Sequence, residues 1–191
     1  MGRLRVIAGR AHGRRLVVPR GGRTRPTSGR VRGALFDMLE HRGWLEGARI
    51  VDLFAGSGAL GIEALSRGAA AAVFVESAPG AVAALRRNVA ASGFSDRAEV
   101  LAADAFQGLR TLARRGGTVD GVIADPPYGD DWPARTLAAV VQAGVLARDG
   151  WVALEHRAGE TVIAPPGLAV VQRRRHGGTA LTLLAPGEES P

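Results

Sequence analysis

Two stretches of this chain put reactive or ligand-holding residues at turns. The first is Val51-Asp-Leu-Phe-Ala-Gly-Ser-Gly-Ala-Leu-Gly61, where Gly56, Gly58 and Gly61 satisfy G-x-G-x-x-G as a strand gives way to a helix. Glycines there allow close approach to the backbone, and Glu76, at the end of the next strand, can accept from ribose hydroxyls. Alone, this is the dinucleotide fingerprint. S-adenosyl-L-methionine needs nearly the same parts, since it carries an adenosine with a free ribose diol, but it has no pyrophosphate for the helix N-terminus to meet. The loop therefore indicates a nucleoside cofactor without choosing between the two. Asp104 follows Glu99-Val-Leu101, where a carboxylate can accept from an adenine amino group or cap a helix. Asp52, Glu76 and Asp104 would then close three successive strands on the carboxyl edge of a sheet, where open parallel sheets bind ligands.

The second stretch is Val122-Ile-Ala-Asp-Pro-Pro-Tyr-Gly129. Two prolines after an acid hold the backbone away from helix, so the Asp125 carboxylate and the Pro126 carbonyl can point the same way. Two converging acceptors suit an exocyclic amine with two N–H bonds. The amino nitrogen of a nucleobase is planar and weakly nucleophilic. Holding both hydrogens favours pyramidal geometry and frees its lone pair for in-line attack on a sulfonium methyl. Tyr128, the only tyrosine in the chain, would stack on a base drawn out of its duplex or fold. A nicotinamide enzyme has no use for this tetrapeptide.

The elements that must position these loops follow from the pattern. Strand candidates lie at 49–54, 72–76, 98–102, 119–124 and 151–155, with helices at about 58–67, 78–92, 105–115 and 133–147 between them. Such alternation implies right-handed crossovers and a parallel sheet. Residues 168–175 and 179–184 flank Gly177-Gly178, a hairpin signal, so the sheet is expected to end antiparallel. Before the first strand, Thr27 or Ser28 can cap a helix over 29–41 with Val31, Leu35, Met38 and Leu39 on one face. Residues 3–8 and 14–18 around Gly9–Gly13 read as a small hairpin with arginines on its open face, followed by a Gly/Pro/Arg loop from Pro19 to Pro26.

The 191 residues suit one core with a small appendage. There is no cysteine, which excludes thiolate metal sites and thiol catalysis, and the four histidines have no ligand spacing, so no metal is expected. The longest apolar run, Ala69–Val75, falls far short of the roughly 20 residues of a membrane span, and a polar, arginine-rich start is no signal peptide. A cytoplasmic monomer with no membrane partner is expected. All 25 basic residues are arginine, and ten of them precede the first acid, Asp37; the remainder of the chain carries 15 arginines against 18 acids. A polyanion footprint at one end of a mildly acidic domain reads as a nucleic-acid arm.

Together, Asp125-Pro-Pro-Tyr128 and the Asp52–Gly61 loop resemble the Rossmann-type amino-group methyltransferases of nucleic acids. Arg5-Val-Ile-Ala-Gly9, Gly13-Arg-Arg-Leu16, Arg25-Pro-Thr-Ser28 and Arg30-Val-Arg32, with Glu63-Ala-Leu-Ser-Arg-Gly-Ala69, narrow the resemblance to the RsmD family over about residues 3–185. The resemblance implies methylation of N2 of one guanine in bacterial 16S ribosomal RNA, with S-adenosyl-L-methionine as donor and a partly assembled small ribosomal subunit as partner. It places the catalytic loop at Asp125, Pro126, Pro127 and Tyr128. The expected cofactor contacts are Asp52, Ala55, Gly56, Gly58, Glu76, Ser77, Asp104 and Ala105, and the expected RNA contacts are Arg3, Arg5, Arg10, Arg14, Arg15, Arg25 and Arg30. The family usually has acids where Gly29 and often Gly33 stand, and commonly a tyrosine at His176.

The fold expected is thus α/β: a Rossmann-like class I methyltransferase domain over 27–185 with a seven-stranded, mostly parallel sheet. An RNA-binding arm over 1–26 precedes it and a disordered tail over 186–191 follows. The rivals are a DNA adenine-N6 methyltransferase, which shares the Asp-Pro-Pro-Tyr chemistry, a protein glutamine methyltransferase, a nicotinamide dehydrogenase, and an rRNA-binding assembly factor without catalysis.

Overall fold

A computed structural model describes residues 4–18 and 28–187. Its first helix, α1 (Gly29–His41), begins where the Ser28 hydroxyl accepts from the Val31 N–H at 3.3 Å, and buries Val31, Leu35, Phe36, Met38 and Leu39. Thr27, the other expected cap, and the loop from 19 to 26 lie outside the described residues.

The chain then alternates as β1 (Arg49–Leu53), α2 (Ala59–Ser66), β2 (Ala71–Glu76), α3 (Pro79–Ala91), β3 (Ala98–Ala102), α4 (Ala105–Arg114), β4 (Val119–Ala124), α5 (Trp132–Ala143) and β5 (Leu146–Arg157). A hairpin of β6 (Leu168–His176) and β7 (Thr179–Pro186) ends it. The sheet order is β3-β2-β1-β4-β5-β7-β6. The first five strands run parallel, and β7 lies antiparallel between β5 and β6. The expected fold and its antiparallel finish are therefore present. Strands β1 and β4 are covered on both faces, so all but one residue of each, Arg49 and Asp120, is buried. One face packs on α1, α2 and α3 through Leu35, Leu39, Ile50, Ile62, Phe74 and Trp151. The other packs on α4 and α5 through Leu53, Leu109, Val122, Leu137 and Leu154.

Three boundaries differ most from the sequence reading. Helix α5 stops at Ala143, because Gly144 takes a left-handed φ of 60° and caps it. Strand β5 starts at Leu146, opposite Val119, and the register shifts before Trp151 meets Gly121. Trp151 then stacks on Trp44 at 5.8 Å and donates its indole N–H to the Trp44 carbonyl. Pro186 belongs to β7, opposite Leu168, and so falls outside the tail expected over 186–191; residues 188–191 lie outside the described residues.

The N-terminal segments pair by one antiparallel bridge, Arg5 with Arg15, flanked by Val6 N–H to Arg14 O and Leu16 N–H to Leu4 O. This hairpin is docked on the domain by buried side chains. Glu63, fully buried on α2, accepts from the backbone N–H groups of Ile7 and Ala8 at 2.8 and 3.0 Å. It also accepts from Arg67 at 2.8 Å and pairs with Arg32 at 3.6 Å. The Asn88 amide accepts from Val17 N–H and donates to the carbonyls of Val17 and Ser57. Arg32 corrects the picture of ten unopposed surface charges. It is 2% exposed, inside the domain, and its guanidinium donates to the Arg5 carbonyl.

Candidate active site

The glycine loop is fixed from below by two carboxylates. Asp52, next to last in β1, is fully buried, and one of its oxygens accepts from the Gly61 N–H at 2.8 Å. Its other oxygen is buried with no hydrogen-bond partner among the described residues. Burial pushes its carboxyl up to about 7; the Gly61 bond opposes this and the charges of Asp125 and Glu76 reinforce it. Glu76 ends β2 with one oxygen on the Gly56 N–H at 2.8 Å and the other on the Ala78 N–H at 2.7 Å. Ala55 continues the loop by donating to the Val75 carbonyl at 3.0 Å.

Why glycine is needed here is visible at two positions. A Cβ on Gly58, where φ is 78°, would lie 2.3 Å from the Leu85 Cδ1, and one on Gly61 would lie 2.3 Å from the Phe74 ring. Gly61 lets α2 press onto β2, and Gly58 lets the loop pack against α3. Phe54, a non-glycine residue, is also left-handed at φ 62°, an uncommon state that the loop must hold in place.

Asp104 caps α4, one oxygen accepting from the Gln107 N–H at 2.9 Å. Of the two roles weighed for it, the cap is thus filled by one of its two oxygens. Ala105 beside it is buried and Ser77 is exposed.

The second loop leaves β4 on the same edge. Pro126 is buried and Asp125 partly so, while Pro127 and Tyr128 are exposed, Tyr128 by 46%. Leu53 pairs with Ala124, so the two loops leave neighbouring strands side by side, and the Asp125 charge acts on Asp52 and on the Tyr128 phenol alike. The Tyr128 hydroxyl is 3.2 Å from the Thr179 Oγ1. Burial raises the phenol pKa, the Thr179 bond lowers it, and the Glu155, Asp125 and Glu160 charges raise it again; the ring stays neutral. Gly129, Asp130 and Asp131 follow, all with positive φ.

Sequence reasoning missed two sets of residues. Glu155 is buried on β5, one step past the Ala124–Leu154 pair and therefore alongside Asp125; no local motif marks it, because the neighbourhood is made by strand pairing. The other set is aromatic. Trp132 stacks on Phe106 at 5.8 Å, meets Phe54 edge-on at 5.6 Å and carries the Arg135 guanidinium 4.5 Å from its ring. Each of these three aromatics stands one or two residues after an acid, at Asp52, Asp104 and Asp131, and that spacing was the available signal.

Of the expected RNA contacts, Arg5, Arg10, Arg14, Arg15 and Arg30 are exposed. Arg3 and Arg25 lie outside the described residues. The hairpin turn lies at the far end of α2, where the Arg10 N–H donates to the Ser66 carbonyl at 2.8 Å.

Residues 4–185 match the family described as Conserved hypothetical protein 95. The chain is 36% identical over 154 residues to ribosomal RNA small subunit methyltransferase D of Escherichia coli K12, covering 81% of this chain and 75% of that one. Among solved structures, yhhF of Escherichia coli superposes with a TM-score of 0.83 at 32% identity, covering 97% of this chain and 98% of the other. A hypothetical protein of Thermus thermophilus gives 0.79 at 35% identity, covering 94% and 97%.

Proposed function

This chain belongs to the RsmD family, described as Conserved hypothetical protein 95, and from that premise we propose that it methylates the exocyclic N2 of one guanine in the 16S RNA of the small ribosomal subunit. The observation that carries the reading is that the two loops leave neighbouring parallel strands side by side, Leu53 being paired with Ala124, with buried Asp52 in one and half-exposed Tyr128 in the other.

S-adenosyl-L-methionine would supply an electrophilic methyl group on a sulfonium. The residues present fit that group. Asp52 offers a buried carboxylate oxygen that lacks a hydrogen-bond partner, suited to a cationic ligand. Glu76 uses one lone pair of each oxygen on the loop and has acceptor capacity left for a ribose diol. Gly56, Gly58, Ala55 and Ser77 would line the approach, with Asp104 and Ala105 at the adenine end.

On the acceptor side, the Asp125 carboxylate and the Pro126 carbonyl would take the two N–H bonds of the guanine amine, with Tyr128 stacked on the base and Pro127 holding the turn. Alignment of this kind can supply roughly 7–11 kcal/mol of a bimolecular barrier. The proton left on nitrogen after transfer passes to the Asp125 carboxylate or to water. The exposed arginines of the N-terminal hairpin, with Arg3 and Arg25, would meet phosphates of a partly assembled subunit.

The test offers labelled S-adenosyl-L-methionine with unmodified small subunits, naked 16S RNA, duplex DNA and a release-factor protein, and identifies the labelled product after digestion. N2-methylguanine from the ribosomal acceptors is expected. Label in DNA adenine would overturn the substrate, and no transfer to any acceptor would overturn the activity.

A further inference from the structure

The sheet topology carries a second basic surface to the reaction edge. Because β7 runs antiparallel to β5, the turn between β6 and β7 lies beside the end of β5, with Arg157 opposite Thr179 and His176 opposite Thr179 on the other side. That turn is latched to the Asp125–Asp131 loop directly through Tyr128 and indirectly through the segment that follows β5. Tyr128 reaches Thr179, the Gly129 N–H donates to Glu160 at 3.2 Å, and Glu160 also accepts from the Arg157 N–H at 3.1 Å. The Ala158 N–H donates to the Gly178 carbonyl at 2.9 Å, and the Arg157 guanidinium lies 5.9 Å from the centre of the Tyr128 ring.

The latch holds the carboxylates of Asp125, Glu155 and Glu160 near Tyr128, and the β6–β7 hairpin beside it carries charge of one sign. No acid occurs between Glu160 and Glu188, while Arg173, Arg174 and Arg175 stand in a row. Arg157, Arg174 and Arg175 are exposed, and none of them forms an ion pair with a carboxylate among the described residues. Arg173 is occupied at the Val162 carbonyl. Arg175 is braced across its own turn by a 3.0 Å bond to the Gly177 carbonyl, and strand alternation sends Arg174 to the opposite face. Charges on an edge strand can serve only to prevent strand pairing. That role does not account for Arg157, which lies on an interior strand against the exposed tyrosine.

We propose that Arg157, Arg174 and Arg175 form a second phosphate-binding surface, which grips the RNA strand on either side of the nucleotide presented to Tyr128. The proposal rests on the rRNA methyltransferase reading. A base taken out of its stack leaves its own phosphate and the next ones exposed near the loop, where Arg157 beside the tyrosine and Arg174 and Arg175 on the adjoining hairpin, one on each face, can meet them. The N-terminal hairpin, whose turn sits at the far end of α2, would hold RNA farther from the target.

The experiment compares the wild type with an Arg157→Gln/Arg174→Gln/Arg175→Gln variant and with Arg→Lys at the same three positions. It measures binding to unmodified small subunits across salt, methyl transfer, and S-adenosyl-L-methionine affinity. The Gln variant is expected to lower the slope of log K against log salt by about 2–3, near one per lost phosphate contact. Its kcat/KM for the ribosomal acceptor should fall at least tenfold, with cofactor affinity within twofold of wild type. The Lys variant should restore the slope. An unchanged slope and kcat/KM in the Gln variant would overturn the surface, and so would a Lys variant as impaired as the Gln one, since the loss would then be structural. Binding does not depend on turnover, so the two readings fail separately. A wild type that binds but never methylates overturns the activity, and one that methylates with an unaffected Gln variant overturns the surface.

Discussion

The two loops at the carboxyl edge of the sheet are held in opposite ways. The glycine loop has left-handed residues at Phe54, Gly56 and Gly58, and every tie that fixes it comes from inside: Asp52 to Gly61, Glu76 to Gly56, Asn88 to the Ser57 carbonyl. The loop after β4 has left-handed residues at Gly129, Asp130 and Asp131, but its ties run outward, to Glu160 and Thr179 on the antiparallel end of the sheet. The first is set by the core and the second by the periphery. A cofactor of constant shape suits a site that folding preorganises. The RNA acceptor of the proposed function would suit a loop supported by surface elements that can themselves touch the RNA.

The largest effect that separates the loops should come from Asp125→Ala. Losing the acceptor that aligns the amine should cut turnover by about 10²–10³-fold or more, the scale seen when one preorganised transition-state hydrogen bond is removed. Cofactor affinity, measured by calorimetry, should stay within a few-fold. A variant that no longer bound cofactor would break the division of labour between the loops.

Next come glycine substitutions matched for φ. Gly58→Ala places a methyl 2.3 Å from the Leu85 Cδ1 at φ 78°, whereas Gly129→Ala, at φ 88°, meets nothing within 4 Å. Both incur left-handed strain of about 1–2 kcal/mol, and only Gly58→Ala adds core overpacking of about 1–3 kcal/mol. Urea unfolding should therefore find Gly58→Ala the less stable by that margin. Equal losses would mean that the loop after β4 is as tightly packed as the glycine loop.

A smaller effect follows from Asp52, whose carboxyl is pushed from 3.8 to about 7. A carboxyl with a folded value above its unfolded one favours folding when protonated, so its contribution is complete below about pH 4 and is lost as pH rises through about 7. Cofactor binding has the opposite sign. A cationic ligand prefers the ionised form, so affinity should rise with pH up to about 7, with protons released on binding. Calorimetry in buffers of different ionisation enthalpy reads that release, and Asp52→Asn should abolish it. A wild type that released no protons near neutrality would remove Asp52 from contact with the ligand's charge.

Most of the glycine loop and the Asp125–Tyr128 loop was legible in the sequence because each is a contiguous motif whose residues act on one another locally. The Ser28 cap and the apolar face of α1 were legible for the same reason. What escaped was made by pairing across the sheet or by burial. Arg32 looks like its neighbours in sequence, but its partner Glu63 lies on another helix. The early start of β5 depends on Gly144 and on a register shift against β4. Counting charge after residue 36 as one block hid the C-terminal arginines, since the acids that balance them in the sum lie elsewhere in the domain. Asp104 was read with two roles because a cap and a ligand contact use the same carboxylate.

The finest test of the outward-tied loop is Thr179→Val. It removes the 3.2 Å contact with the Tyr128 hydroxyl and nearly preserves side-chain shape. A hydrogen bond to a ring exposed by 46% contributes at most about 1 kcal/mol, so stability should hardly move and turnover should fall only a few-fold. The phenol itself gives a sharper readout. Tyr128 is the only tyrosine in the chain, so its ionisation can be followed by ultraviolet absorbance without interference from another. The Thr179 bond lowers the phenol pKa against burial and the nearby carboxylates. Removing it must therefore raise the titration midpoint further. An unchanged midpoint would show that Tyr128 is not held by the C-terminal hairpin in solution, and the outward tie of the loop would then rest on the Gly129–Glu160 bond.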